Sequence, residues 1–169
     1  MYQKDSKFIK VGVNSIRRMQ VLLNAGGFLF VHKDSSGFVF KEDEVAAAKD
    51  GDNLLPVMVV KLRDSGIQNY KQAHGLRIRE HHADESVAKT WYFNYIDQVA
   101  PIVSDKDHLH GGYLLWKHFL KQAALGDSHT ISVLQQSTGK VLQENATIDS
   151  VTESDLWSQH PNHDLKDIV

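Results

Sequence analysis

The amino-acid sequence predicts an α+β fold: a single globular domain over residues 1–169, with a mixed or mostly antiparallel sheet, hairpins and about four helices. Two segments, at residues 28–40 and 130–148, have the pattern of strands joined by tight turns. Two others, at 84–99 and 110–125, repeat apolar residues at helical spacings of three and four. Strands and helices do not alternate as they do in βαβ units, which favours α+β over α/β.

The composition is that of an ordinary globular protein and excludes some classes of site. Hydrophobic residues make up 41% and charged residues 24%, so the chain has enough apolar side chains for a buried core. The absence of cysteine excludes disulfides, thiolate metal sites and cysteine nucleophiles. A formal net charge of -2 argues against a nucleic-acid partner, although it leaves a local basic groove open. We expect no secretory signal, no membrane partner and a cytoplasmic location.

Apolar spacing and turn residues predict the elements of the first half of the chain. Three helices are expected, at about Asn14 to Asn24 (ending at Gly26-Gly27), at Asp43 to Lys49 and at Ile67 to Ala73. Four strands are expected, at Phe28–His32, Phe38–Phe40, Leu54–Leu62 (with Pro56 near its start) and Leu76–His81. The first two of these strands should form a hairpin around the turn at residues 33–37.

The second half is predicted to begin with two long helices. The first is capped by Asp84 and closed by Pro101, and the second starts at Gly111-Gly112 and runs to about Leu125. A hairpin with Gly139 in its turn follows, then a short helix over residues 150–157 and an edge strand over 165–169. The helices and the hairpin are expected to share a core made of Trp91, Tyr95, Leu115, Trp116, Phe119 and Val133.

The glycine pair Gly111-Gly112 is the first candidate site. A helix N-terminus leaves backbone N–H groups without intrahelical partners, and its dipole attracts anions. Glycines there allow a phosphate or carboxylate to approach the backbone, and His108 and His110 would add donors beside it. Close helix packing or a flexible entry to the helix is the alternative explanation for the pair.

The same segment resembles the acyl-CoA-binding turn of the GNAT acyltransferases, in which Arg/Gln-x-x-Gly-x-Gly/Ala leads into a helix. Gly111 matches that pattern, whereas His108 stands for its Arg/Gln and Tyr113 for its final Gly/Ala. The resemblance implies that Gly111 and Gly112 would hold the pyrophosphate of the cofactor, with Tyr113 or His118 in proton transfer. It also implies a splayed pair of parallel strands opening at Gly111, whereas the sequence predicts a hairpin after the helix.

The second candidate site is a row of basic residues on one predicted strand. Arg77, Arg79 and His81 alternate with apolar residues and Glu80, so they should point to one face of the strand. Two guanidinium groups on one face can hold a carboxylate or phosphate in bidentate fashion. The alternative is a solvated strand face whose arginines pair with acidic neighbours.

Clusters of histidines and a row of aromatic residues are two further patterns in the sequence. The ten histidines include clusters at residues 80–85, 105–110 and 160–164, but none has the spacing of a known metal site, and we predict no metal. The aromatic residues Trp91, Tyr92 and Tyr95 are better explained as the core face of a helix than as a stacking site.

No catalytic residue is assigned, because the chain contains neither a nucleophile elbow nor a phosphate-binding loop motif. The first functional hypothesis is therefore a small binding or interaction domain whose partner is a protein or a small anionic ligand. The alternative is an acyl-CoA-dependent acyltransferase that uses Gly111-Gly112. The sequence identifies neither a cofactor nor the oligomeric state, and strand order around Gly111 should separate the two hypotheses.

Overall fold

The computed structural model describes residues 2–3, 8–79, 85–104, 110–126 and 129–150. Its strands are β1 Tyr2–Gln3, β2 Val11–Gly12, β3 Gln20–Ala25, β4 Phe28–Lys33, β5 Ser36–Lys41, β6 Asn53–Leu54, β7 Met58–Asp64, β8 Lys71–Arg79, β9 Ile102–Val103, β10 Val133–Leu134 and β11 Val141–Gln143. The described helices are α1 Val13–Ile16, α2 Glu42–Ala47, α3 Glu85–Gln98 and α4 His110–Ala124. The predicted α+β class with about four helices is confirmed.

The chain divides into two compact units. The first comprises Met1–Arg63 and Ala73–Ile102, and the second comprises Asp64–Gln72 and Val103–Val169. The prediction of one domain remains a prediction, and each unit is described below by itself. Among the described residues, no helix is long and apolar enough to cross a membrane.

The first unit is built on a mixed sheet. Within the described residues this sheet has seven strands in the order β1-β8-β7-β5-β4-β3, and β9 also pairs with β8. The pairs β3-β4, β4-β5 and β5-β7 are antiparallel, and β1 lies parallel to β8. Both hairpins, β3-β4 and β4-β5, have short turns, so most pairing in this unit is local in the sequence.

Apolar side chains lie on both faces of the part of the sheet that β4 and β5 form. Leu29, Val31 and Phe40 join Ile16 and Met19 in one buried cluster. On the opposite face, α3 packs its fully buried Trp91 against Gly37. Successive residues of a strand point to opposite faces, so a strand buried on both faces needs consecutive apolar residues. This explains the nearly continuous apolar run of β4.

The predicted helix at Asn14 to Asn24 is wrong. Its first residues form the short α1, and the rest form β3, which pairs with β4 around Gly26 and Gly27. Both glycines have positive φ, +59° and +80°, as a two-residue hairpin turn requires. The pairing is irregular between Val21 and Leu23, and this bulge breaks the two-residue alternation that would have indicated a strand.

Side chains of α3 hold this bulge. The amide Nε2 of Gln98 donates to the carbonyl oxygen of Leu22 at 2.7 Å, and the indole Nε1 of Trp91 donates to the carbonyl oxygen of Val31 at 3.3 Å. A bulge leaves backbone groups without ladder partners, and a buried carbonyl without a partner is costly. The helix therefore supplies hydrogen bonds that the irregular strand pairing does not.

The predicted helix at Ile67 to Ala73 is also wrong. Strand β8 already begins at Lys71, and the preceding residues form a turn in which the hydroxyl of Ser65 donates to the carbonyl oxygen of Tyr70 at 2.7 Å. Gly66 and Gln68 have positive φ there, which a helix does not allow. The predicted strand at Leu54–Leu62 is divided into β6 and β7, and Pro56 lies between them.

The second unit contains α4 and the β10-β11 hairpin. The predicted hairpin is present, with strands shorter than predicted, and Gly139 in its turn has the expected positive φ of +71°. Leu120, Val133 and Ala146 form a buried cluster between the helix and the hairpin. The helix predicted over 150–157 and the strand over 165–169 lie outside the described residues.

A pair of amide side chains joins distant segments of this unit. Gln136 Nε2 donates to Gln72 Oε1 at 2.9 Å and to the carbonyl oxygen of Ser65 at 3.0 Å. Gln72, which is fully buried, donates to the carbonyl oxygen of Ser104 at 2.8 Å. These bonds satisfy amide groups that would otherwise make burial unfavourable.

The predicted core residues are buried with one exception. Trp91 and Tyr95 are buried in the first unit, and Leu115, Phe119 and Val133 are buried in the second. Trp116 is only partly buried, and its ring meets that of Phe119 edge to face at 5.2 Å.

Candidate anion-binding site

Strands β7 and β8 lie side by side in the first unit's sheet, and two contacts fix their register. The backbone N–H of Arg79 donates to the carbonyl oxygen of Val57 at 2.9 Å. A Cβ placed on Gly75 would lie 3.9 Å from the Cβ of Lys61. Between these two contacts the residue number rises along β7 and falls along β8, so the strands are antiparallel. Opposed residues of an antiparallel pair point to the same face, which places Lys61 and Gly75 on one face of the sheet.

Lys61 is one of four cationic residues on that face. Alternate residues of a strand point the same way, which places Arg63 with Lys61 on β7, and Arg77 and Arg79 with Gly75 on β8. Lys61, Arg63 and Arg77 are exposed, and Arg79 is partly buried. We call these four residues, Arg79, Arg77, Lys61 and Arg63, the basic row.

The residues around the basic row set the charge of this face. Among the described strand residues on this face of β4, β5, β7 and β8, none is an aspartate or glutamate. Lys61 Nζ lies 3.4 Å from the hydroxyl of Ser36 on β5. The next residue after Arg63 is Asp64, at the end of β7, and its carboxylate accepts from Lys71 Nζ of β8 at 2.6 Å. Within the described strands, no carboxylate therefore lies between the members of the basic row, and Asp64 follows the row at the end of β7.

The sequence prediction for Arg77 and Arg79 is confirmed as far as their strand is concerned. Strand β8 extends through Arg79, and Ile78 between the two arginines is fully buried while Arg77 is exposed. His81 and Glu80, which belonged to the same prediction, lie outside the described residues. A role of Arg77 and Arg79 in binding remains a prediction.

Sequence reasoning missed the other half of the basic row. Lys61 and Arg63 flank the buried Leu62, and this alternation of charged and apolar residues was present in the sequence. It was overlooked because the preceding apolar run indicated a fully buried strand. The register of β7 against β8 was needed to place the two pairs of cations on one face.

The glycine pair lies where the sequence predicted it. Helix α4 begins at His110, so Gly111 and Gly112 occupy its first turn. His108 lies outside the described residues. Anion binding by His108, His110, Gly111 and Gly112 therefore remains a prediction.

The strand that follows α4 differs from the acyltransferase arrangement. Strand β10 pairs antiparallel with β11, whereas the acyltransferase resemblance implies a splayed pair of parallel strands at this place. His118, the alternative proton-transfer residue, is partly buried on α4, and its Nε2 has no hydrogen-bond partner among the described residues. The binding-domain hypothesis and the acyltransferase hypothesis both remain predictions.

The histidine and aromatic patterns give no second site in the described part of the chain. No group of three or more histidine, aspartate or glutamate side chains that could hold a metal occurs among the described residues. Trp91, Tyr92 and Tyr95 are all buried, as the core interpretation of this aromatic row predicted. Phe93 lies off that face, with Lys89 Nζ 5.9 Å from its ring centre.

His32 on β4 is a partly buried ionisable group. Its Nε2 lies 2.8 Å from Gln20 Oε1, whereas its buried Nδ1 has no hydrogen-bond partner among the described residues. The ring also meets Tyr95 edge to face at 5.5 Å. Desolvation by burial lowers the pKa of this imidazole below its ordinary value of 6.5.

The stability of the protein should therefore fall in mild acid because of His32. The unfolded chain binds a proton at His32 more readily than the folded chain, so the free energy of unfolding decreases as the pH falls below about 6.5 and through the lower folded-state pKa. Urea midpoints measured near neutrality and near pH 5 should differ less for His32→Gln than for the unchanged protein. The exposed His74 gives the control, since His74→Gln should leave the difference intact. An equal pH effect in the unchanged protein and His32→Gln would contradict this assignment.

Comparison with protein-family models, with curated proteins and with solved structures finds no match for this chain.

Proposed function

We propose that this protein is a non-catalytic domain that binds a small anionic ligand on the sheet face carrying the basic row. The observation that supports it is the placement of Arg79, Arg77, Lys61 and Arg63 on one face without an intervening acidic strand residue. Cytoplasmic action is part of the same proposal, since a chain without cysteine needs no oxidising compartment.

The chemistry of the basic row suits phosphate or carboxylate groups. Arg77 and Arg79 are one alternation apart, about 6.6 Å along the strand, so their long side chains can converge on one anion. Each guanidinium has five donors in a planar fork, which leaves donors for a ligand even where an arginine also contacts the protein. A protein partner with an acidic surface is the alternative, but bidentate donors favour a discrete anionic group.

Calorimetry with inorganic phosphate, pyrophosphate and coenzyme A tests the proposal. We expect binding at low ionic strength that weakens as salt screens the charges. Arg77→Ala combined with Arg79→Ala should weaken binding by about a hundredfold or more, because each of the two lost charged hydrogen bonds contributes about 1.5–3 kcal/mol. The corresponding double lysine variant should lose less affinity, since it keeps the charge but not the planar fork.

A matched control separates this site from general charge effects. Arg18→Ala removes an exposed arginine outside the basic row, and it should leave binding unchanged. Circular dichroism should verify that each variant is folded. Binding of equal strength before and after loss of both Arg77 and Arg79 would remove the basic row as the site.

A further inference from the structure

The basic row is a line rather than a compact cluster. Two of the cations, Arg79 and Arg77, lie on β8. The next two residues of β8 on this face are Gly75 and Ala73, which are uncharged. Beside them, the neighbouring strand β7 supplies the other two cations, Lys61 and Arg63. Each alternation advances about 6.6 Å along the strands, so the basic row extends over about 20 Å. A single phosphate can contact only two neighbouring members of such a line. Its length therefore matches a ligand with several anionic groups at regular intervals.

An aromatic side chain borders this line. Phe38 on β5 lies directly opposite Val59, the β7 residue between the buried Met58 and Val60. Val59 and Phe38 are on the same face as the basic row, and Phe38 is partly buried. Its ring stacks on that of Phe40, with centroids 5.8 Å apart and planes inclined by 23°, which fixes its orientation. The ring also packs against the buried cluster that contains Ile16 and Met19, so its exposed part is the surface on which a planar base would stack.

The backbone of the two strands argues against an acidic peptide on this face. Strand β7 already has β5 and β8 as neighbours, and β8 lies between β7 and β1. A peptide strand laid across the face would find no main-chain partners there for its own N–H groups, and peptide strands gain affinity by such bonds at sheet edges. A phosphodiester backbone carries acceptors only, so arginine and lysine donors can satisfy it.

We propose that this face binds single-stranded nucleic acid, with successive phosphates along the basic row and a base against Phe38. The inference rests on the proposed anion site and extends its ligand from a small anion to a polymer that carries such anions at intervals. The spacing of adjacent phosphates in an extended single strand is comparable to the alternation of residues along β7 and β8. The net charge of -2 does not oppose this, because a local basic face governs such binding.

Fluorescence anisotropy with a labelled twelve-nucleotide oligothymidylate tests the inference on the full chain. We expect binding at low salt whose logarithm falls with the logarithm of salt concentration, by about 0.7 for each phosphate contacted. Lys61→Ala combined with Arg63→Ala should weaken oligonucleotide binding about tenfold and reduce the salt slope, with little effect on pyrophosphate held by Arg77 and Arg79. Lys121→Ala combined with Lys140→Ala removes two exposed lysines of the second unit and should change neither.

Phe38→Leu tests base stacking, which attraction between charges alone does not provide. It keeps an apolar side chain but removes the ring, so oligonucleotide affinity should fall about fivefold while pyrophosphate affinity is unchanged. Unchanged oligonucleotide affinity in Phe38→Leu, or in a variant lacking all four cations, would overturn the inference.

The ligand series separates this inference from the proposed function. Binding of pyrophosphate without binding of the oligonucleotide would overturn the nucleic-acid inference and leave the anion site standing. Binding of an extended peptide with alternating glutamates, again without the oligonucleotide, would replace nucleic acid by an acidic protein segment. Failure of all three probes to bind at low salt would overturn both the inference and the proposed function.

Discussion

Replacing Gly37 by alanine is expected to destabilise the first unit by about 3 kcal/mol or more, at or above the upper end of the usual range for overpacking. A Cβ at this position would overlap Cζ2 and Cε2 of Trp91 and lie 2.7 Å from its Nε1. The indole cannot move aside easily, because it has no exposed surface and donates to the carbonyl oxygen of Val31. Urea denaturation followed by circular dichroism should show a lower midpoint with an unchanged slope.

Gly75 provides a matched control for that experiment. It is also a strand glycine, but a Cβ there would meet only the Lys61 Cβ, at the ordinary contact distance of 3.9 Å. Gly75→Ala should therefore be neutral or slightly stabilising, because alanine restricts the unfolded chain more than glycine does. Equal destabilisation at Gly37 and Gly75 would mean that backbone conformation rather than contact with Trp91 requires a glycine.

Truncation of Trp91 to alanine is expected to cost about 3–5 kcal/mol, the range observed when a large aromatic residue is removed from a core. The side chain is fully buried, stacks on Tyr95 with ring centres 5.0 Å apart, and fills the space above Gly37. Trp91→Phe keeps much of the packing but removes the bond to Val31, so it should cost less than Trp91→Ala. Thermal or urea denaturation of the two variants measures both contributions.

Trp116 gives the comparison on the other long helix. Because this residue is only partly buried, Trp116→Ala should cost clearly less than the about 3–5 kcal/mol expected of a fully buried tryptophan. Losses of equal size for Trp91→Ala and Trp116→Ala would contradict the difference in their burial.

Local patterns were sufficient for the elements whose partners are close in sequence. The hairpin of β4 and β5, the helix α3 and the hairpin around Gly139 all follow from periodicity and turn residues. Strand β3 did not, because Ile16, Met19, Leu22 and Leu23 have a helix-like spacing that arises from a short helix followed by a bulged strand. A glycine pair is common both at the end of a helix and in the turn of a β-hairpin, so Gly26-Gly27 did not distinguish a helix from a hairpin.

The candidate site, too, could be predicted only where its residues are close in sequence. The alternation of Arg77 and Arg79 with apolar residues was visible within one strand. The contribution of Lys61 and Arg63 depends on which residue of β7 lies opposite Gly75, and the two strands are connected by a turn that the sequence predicted as a helix. Strand register is a tertiary property set by that turn and by the burial of Leu62 and Ile78.

The bonds that hold the β3 bulge also impose an order on folding. Val31 and Trp91 are separated by 60 positions, and Leu22 and Gln98 by 76. During synthesis, the hairpin of β3 and β4 emerges well before these partners and must wait for a long loop to close. We therefore infer that this edge of the sheet acquires its final register late, when α3 docks, and that contacts of high sequence separation limit the folding rate.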